Sequence, residues 1–143
     1  MLPWGRLVLA SIGFGVWSVA ASWLVYGLLL KAEVVKAFEG HPGMRPAVTY
    51  VLRHYLGSFL LHVAMGFMWG AAMARFIVAS TTDPWLVGLQ VGLFAWLVFA
   101  VPITGVKAIW TTYPRQLVVA NLMYWALLCA GGGALLGWVV LRV

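Results

Sequence analysis

The sequence predicts an all-α integral membrane protein, a four-helix transmembrane bundle in a single domain over residues 1–143, and three observations carry that reading. Hydrophobic residues are 64% of the 143 and charged residues 8%, whereas soluble domains carry about a quarter charged residues, so this chain cannot cover a water-facing surface. Four apolar runs, at about 7–30, 54–78, 84–106 and 116–141, are each long enough to cross the hydrocarbon of a bilayer as one helix. Nearly all the charge lies at the ends of those runs or in the polar loop 31–53. The formal charge of +6 therefore points to anionic lipid headgroups and not to nucleic acid.

The first span, Leu7 to Leu30, is bounded by Arg6 and Lys31. A signal peptide has an apolar core of about 7–15 residues followed by a polar cleavage region. Here hydrophobicity continues past Ala20-Ala21-Ser22, so a retained anchor is expected. The polar loop follows. In its first half Val34, Val35 and Phe38 fall on one side, so the first helix is expected to continue along the headgroup layer until Gly40-His41-Pro42-Gly43 breaks it. Pro46 suits the first turn of the next helix.

Between Arg53 and Arg75 lies the second span, with His62 near its middle, roughly 13 Å below Arg53 at the helical rise. Ser80-Thr81-Thr82-Asp83-Pro84 then stops one helix and starts another, with Asp83 as side-chain cap and Pro84 at the first helical position. In the third span Gln90 is the most polar side chain, and Pro102 is expected to kink the helix or mark where it frays. A loop from Gly105 to Pro114 leads to the fourth span, closed by Arg142.

Four spans place both termini on one side. Lys31, Lys36, Arg45, Arg53, Lys107 and Arg115 lie on the side of the first and third loops, against Arg6, Arg75 and Arg142 on the other. That asymmetry predicts that loops 31–53 and 107–115 face the cytoplasm, with both termini outside, in a bacterial inner membrane.

Helices in lipid associate where small residues four apart let backbones approach. Three such pairs occur, Gly66 with Gly70, Gly88 with Gly92, and Gly133 with Gly137. They predict a tight bundle, with the alternative that some pairs serve self-association or another subunit. Trp4, Trp85, Trp110 and Trp138 are expected at the interfaces. Trp17, Trp69, Trp96 and Trp125 lie deeper, where each indole N–H needs an acceptor.

His62 is the candidate for chemistry, because an intramembrane ionisable residue is expensive to bury. Its plainest reading is structural, a hydrogen bond to a backbone carbonyl or to a polar neighbour. Gln90 and Asn121 are the buried polar partners expected. The sharper reading is cofactor binding with His62 as axial ligand, since Ser58 one turn earlier leaves room for a flat macrocycle. That pair resembles the small-x-x-x-His arrangement of bacterial light-harvesting helices, where the histidine binds the magnesium of bacteriochlorophyll. A chlorin, haem or quinone is the class admitted, and no motif demands any cofactor. Paired histidines around a haem fit less well, because His54 shares the helix with His62 and His41 is in a loop. A proton relay needs a chain of titratable groups, and none besides His62 is expected in the spans. A small transporter or channel would need a wet path past His62, Gln90 and Asn121.

Enzyme classes find no support. The chain carries no carboxylate pair, no Ser-His-Asp set, no metal-ligand spacing and no phosphate loop, so no catalytic and no metal residue is assigned. Cys129 is single, which excludes an internal disulfide. Four-helix multidrug exporters hold a carboxylate in the first span, where this chain has Ser11, Ser18 and Ser22.

In its second half the chain resembles a bacterial membrane family known as domain of unknown function 1761. The resemblance is carried by Trp96, Phe99 and Pro102 closing the third span, a short loop, then Leu117, Asn121 and Tyr124 opening the fourth. An asparagine usually follows the proline closely in that family, and here Thr104 and Gly105 occupy the region. The resemblance implies a short four-span architecture with a polar first loop and no particular reaction. Near-absent extramembrane mass, small-residue faces and the lack of a catalytic set together predict a non-catalytic accessory or structural subunit of a larger membrane complex.

Overall fold

Polar backbone inside lipid must bond to itself, which leaves helix as the state available to each apolar run. A computed structural model describes residues 4–39, 52–76, 83–110 and 114–141, and among these residues every regular element is helical. The order is α1 (Trp4–Ser22), running on as a π-helical turn over Trp23–Leu29; α2 (Lys31–Glu39); α3 (Leu52–Phe76); α4 (Pro84–Ala95), running through a π turn at Trp96–Ala100 into α5 (Val101–Trp110); and α6 (Arg115–Val140). Four continuous helical stretches, Trp4–Leu29, Leu52–Arg75, Pro84–Ile109 and Arg115–Val140, are long and apolar enough to cross a membrane. The chain is a multi-pass membrane protein.

The spans alternate in direction, and α6 is the central helix. One face of α6 packs on α4 and another on α1, while α3 lies mainly on α1 and touches α6 less. No comparable contact joins α3 to α4 among the described residues. The buried core is accordingly the α1/α6 pair, with Leu7, Phe14 and Val25 from one span and Leu117, Leu128 and Leu136 from the other all essentially inaccessible. The serines of α1 that fall in this core bond to their own helix. Ser11 donates to the Leu7 carbonyl at 2.6 Å and Ser18 to that of Gly15 at 2.7 Å, so neither is left unpaired.

The three glycine pairs all lie in helix contacts, in two different ways. A Cβ on Gly88 or Gly92 would run into the backbone of α6 at Gly133 and Cys129, and one on Gly133 or Gly137 into the backbone of α4. Backbone rests on backbone there. A Cβ on Gly66 would lie 2.8 Å from Phe14 Cβ, and one on Gly70 2.7 Å from Leu7 Cδ1. On this second seam the glycines are hollows for side chains of α1.

Several expectations are corrected. The third span does not end at Val106: helix continues through Gly105 and Lys107 to Trp110. Pro102 does not mark a fraying end: helix continues past it, and the turn before it widens, with Val101 N–H donating five residues back to Trp96 O. A wider turn spares the helix the clash between a proline ring and the carbonyl four residues earlier. Asp83 starts α4 without a side-chain cap. Its backbone carbonyl instead accepts from Leu86 and Val87 N–H at 3.0 and 3.1 Å, with Pro84 opening the helix as expected. At Leu30 the first helix bends, and α2 follows with Val34 buried against the core and Phe38 half-buried. The expected break at Gly40–Gly43, the helix start at Pro46 and the link 80–82 lie outside the described residues.

Candidate functional site

His62 sits on α3 facing α6, and both ring nitrogens are engaged. Nδ1 is 2.7 Å from the carbonyl oxygen of Ser58, one turn earlier on the same helix. A carbonyl only accepts, so in the neutral ring Nδ1 carries the proton and Nε2 holds the lone pair. Tyr124 of α6 fills that position, its hydroxyl donating to Nε2 at 2.8 Å, with the two rings edge to face at a centroid separation of 6.2 Å. One turn earlier on α6, Asn121 Oδ1 accepts from the hydroxyl of Tyr26 at 2.5 Å, and the rings of Tyr26 and Tyr124 lie 5.6 Å apart.

The first and third spans, which flank this stretch of α6, are both π-widened where they pass it. Tyr26 belongs to the π turn of the first span. Trp96 opens the π turn of the third span, and its indole donates to the Leu122 carbonyl at 3.1 Å. Further along α6, Trp17 donates to the Leu127 carbonyl at 2.9 Å. Residues 121–127 of α6 thus gather polar side-chain contacts from three spans into one layer. π turns of this kind occur disproportionately at functional sites.

The layer opens sideways. A groove of about 390 Å³ is lined by Ser22 and Tyr26 from the first span, Ser58, Leu61, His62 and Met65 from α3, and Tyr124 and Trp125 from α6. Leu61, at 72% exposure, marks its outer edge.

The structure treats the expected site residues unevenly. Asn121 is partly buried and hydrogen-bonded. Gln90 is not a buried partner: it is exposed on α4, the helix that has no substantial contact with α3, so His62, Gln90 and Asn121 line no common path. Ser58 serves His62 through its backbone carbonyl and not by its small size alone. His54 lies on the same helix as His62, and no group of three histidine, cysteine or acidic side chains converges among the described residues. The expectation that the spans hold no titratable group besides His62 overlooks three phenols, Tyr26, Tyr55 and Tyr124, and the Cys129 thiol, and two of the phenols, Tyr26 and Tyr124, sit at this site. In water a phenol is neutral at pH 7 and draws little attention. In hydrocarbon its hydroxyl must find a partner, and that demand is the signal by which the sequence could have revealed them.

Of the six residues that carry the family resemblance, Trp96, Asn121 and Tyr124 make contacts in this layer, and Leu117 lies in the core. The family model described as Protein of unknown function (DUF1761) matches residues 9–137, nearly the whole chain. The chain belongs to the DUF1761 family. Its match runs from within α1 to within α6, so the layer and all six seam glycines fall inside the DUF1761 match. No curated protein and no solved structure gives a match to this DUF1761 chain.

Proposed function

We propose that this DUF1761 protein is a non-catalytic accessory subunit of a larger assembly in a bacterial cytoplasmic membrane. The single observation that carries the reading is the unequal burial of its four spans. In the most apolar stretch of each, 39% of the first span and 44% of the last are buried, against 17% for each of the two flanking spans. A closed bundle would cover two sides of every helix. Here α4 rests on α6 and α3 mainly on α1 with a lesser contact to α6, which leaves bare faces that carry Leu60 and Met68 on α3 and Leu93, Phe94 and Leu97 along α4 and the π turn. Transmembrane helices of other subunits are the partners of matching chemistry, with bilayer lipid over what remains.

Lys31, Lys36, Arg53, Lys107 and Arg115 gather at one end of the spans, which the positive-inside bias assigns to the cytoplasm, next to anionic headgroups. The test is photo-crosslinking in native membranes from Leu60 and Phe94, each replaced by a photoreactive residue, with a native gel alongside. A discrete crosslinked membrane protein at one or both positions is expected, together with a native mass well above that of the chain. Crosslinks to lipid alone, with the chain running as a monomer, would overturn the subunit role.

A further inference from the structure

Within the groove, the His62–Tyr124 pair has a proton inventory that favours one kind of ligand group. His62 Nδ1–H is committed to the Ser58 carbonyl, and the hydroxyl proton of Tyr124 is committed to His62 Nε2. Tyr124 Oη therefore offers a groove ligand a lone pair and no proton. At this depth a ligand oxygen that brought only acceptors would find no donor on the His62–Tyr124 pair, and an unpaired polar group in hydrocarbon is costly. A ligand hydroxyl would be satisfied.

Shape narrows the choice further. At about 390 Å³ the groove is at the small end of the range for small-molecule sites. It has room for one substituted ring and not for a macrocycle, whose metal would in any case have to displace Tyr124 from Nε2. Trp125 lines the groove beside Tyr124, with the two rings 5.7 Å apart and edge to face, which gives a planar aromatic head a wall to lie against. Leu61 and Met65 make the lipid-side lip apolar, as an alkyl tail requires.

We propose that this groove binds the head of a lipid-soluble aromatic diol, a quinol, with one ring hydroxyl donating to Tyr124 Oη and the tail leaving past Leu61. The contact at Tyr124 takes the reduced form, while the Ser22 and Ser58 hydroxyls and the Trp125 indole N–H elsewhere in the lining are donors that either form can meet. The oxidised quinone, which presents carbonyl oxygens in place of hydroxyls, cannot make the bond to Tyr124. Quinol binding of this kind is independent of whether the chain is a subunit of something larger.

The experiment uses the full chain in phosphatidylcholine nanodiscs, with decylubiquinol kept reduced under anaerobic conditions. Retention by protein-bearing discs is compared with empty discs, and decylubiquinone is run in parallel. Saturable retention of the quinol, at least tenfold tighter than that of the quinone, is expected. Tyr124→Phe removes the accepting oxygen and is expected to weaken quinol binding about tenfold while leaving quinone retention unchanged. Leu61→Trp serves as the second variant. It changes an exposed residue away from the core, fills the lip, and is expected to abolish saturable retention while the native-gel mobility of the chain is kept. Retention of quinol equal to that of empty discs, equal binding of the two redox forms, or displacement by an equimolar long-chain alkanol would each overturn the proposal.

Discussion

Along the α4/α6 seam, Gly88 and Gly92 meet Gly133 and Gly137 with backbone against backbone. Along the α1/α3 seam, Gly66 and Gly70 receive the side chains of Phe14 and Leu7. Both seams are written with glycines four apart, and in lipid both gain from close van der Waals approach. They differ in what can yield. A carbonyl on a neighbouring helix moves only if the helix moves, whereas the end of a leucine moves by rotating one bond. The same spacing in sequence thus encodes one rigid seam and one adjustable seam, and α6 owes its central place to the rigid one.

Breaking the rigid seam is the largest effect expected. Gly92→Ala would put Cβ 2.7 Å from the Cys129 carbonyl carbon and closer still to its oxygen, and Gly133→Ala is similarly blocked at Gly88. Each is expected to cost about 3 kcal/mol, the upper part of the overpacking range, read from reversible unfolding in mixed detergent micelles. On the adjustable seam, Gly66→Ala meets Phe14 at its Cβ, which cannot rotate away, and about 2 kcal/mol is expected. Gly70→Ala meets only Leu7 Cδ1 at such close range, and its cost is expected to stay below about 1 kcal/mol. A flat series across these four positions would erase the distinction.

The hydrogen bond between Tyr124 and His62 is the polar link from α3 to α6, across a contact less extensive than either glycine seam. Tyr124→Phe leaves Nε2 without its donor, and a loss of about 1–2 kcal/mol is expected by the same unfolding assay. A double-mutant cycle with His62→Phe should recover a coupling of roughly 0.6–1.7 kcal/mol, the measured scale for bonds between transmembrane helices. Zero coupling would mean that the two side chains act independently. The smallest effect is expected where nothing is near. A methyl group added at Gly57 or Gly105 would meet no atom within 4 Å, so Gly57→Ala is expected to be neutral or to stabilise by up to about 1 kcal/mol through helix propensity.

How far the sequence reveals this arrangement follows from what each feature depends on. The number of spans depends on local hydropathy and is legible, as is the membership of all three glycine pairs in helix contacts. Which helix each glycine faces is not, because spacing within one helix carries no information about its partner. Pro102 announces a disturbance in the third span, but not its form, a wider turn with helix beyond. No proline marks the π turn at Trp23–Leu29, which has no cue in the residues themselves. At the site, His62 is legible because a histidine inside an apolar run is conspicuous. Tyr124 and Tyr26 are hidden by counting only groups that ionise near neutral pH. Gln90 is misplaced because polarity says that a side chain needs a partner, and exposure on an outer helix face is decided by packing.

The protonation state of His62 joins the fold to the proposed ligand, and nitrogen-15 solid-state NMR of the histidine-labelled protein in lipid bilayers reads it directly. A proton on Nδ1 and a hydrogen-bonded, unprotonated Nε2 whose shift moves in Tyr124→Phe is the predicted result. A proton on Nε2, or an Nε2 signal indifferent to Tyr124→Phe, would contradict the layer that joins α3 to α6 and the ligand preference drawn from it.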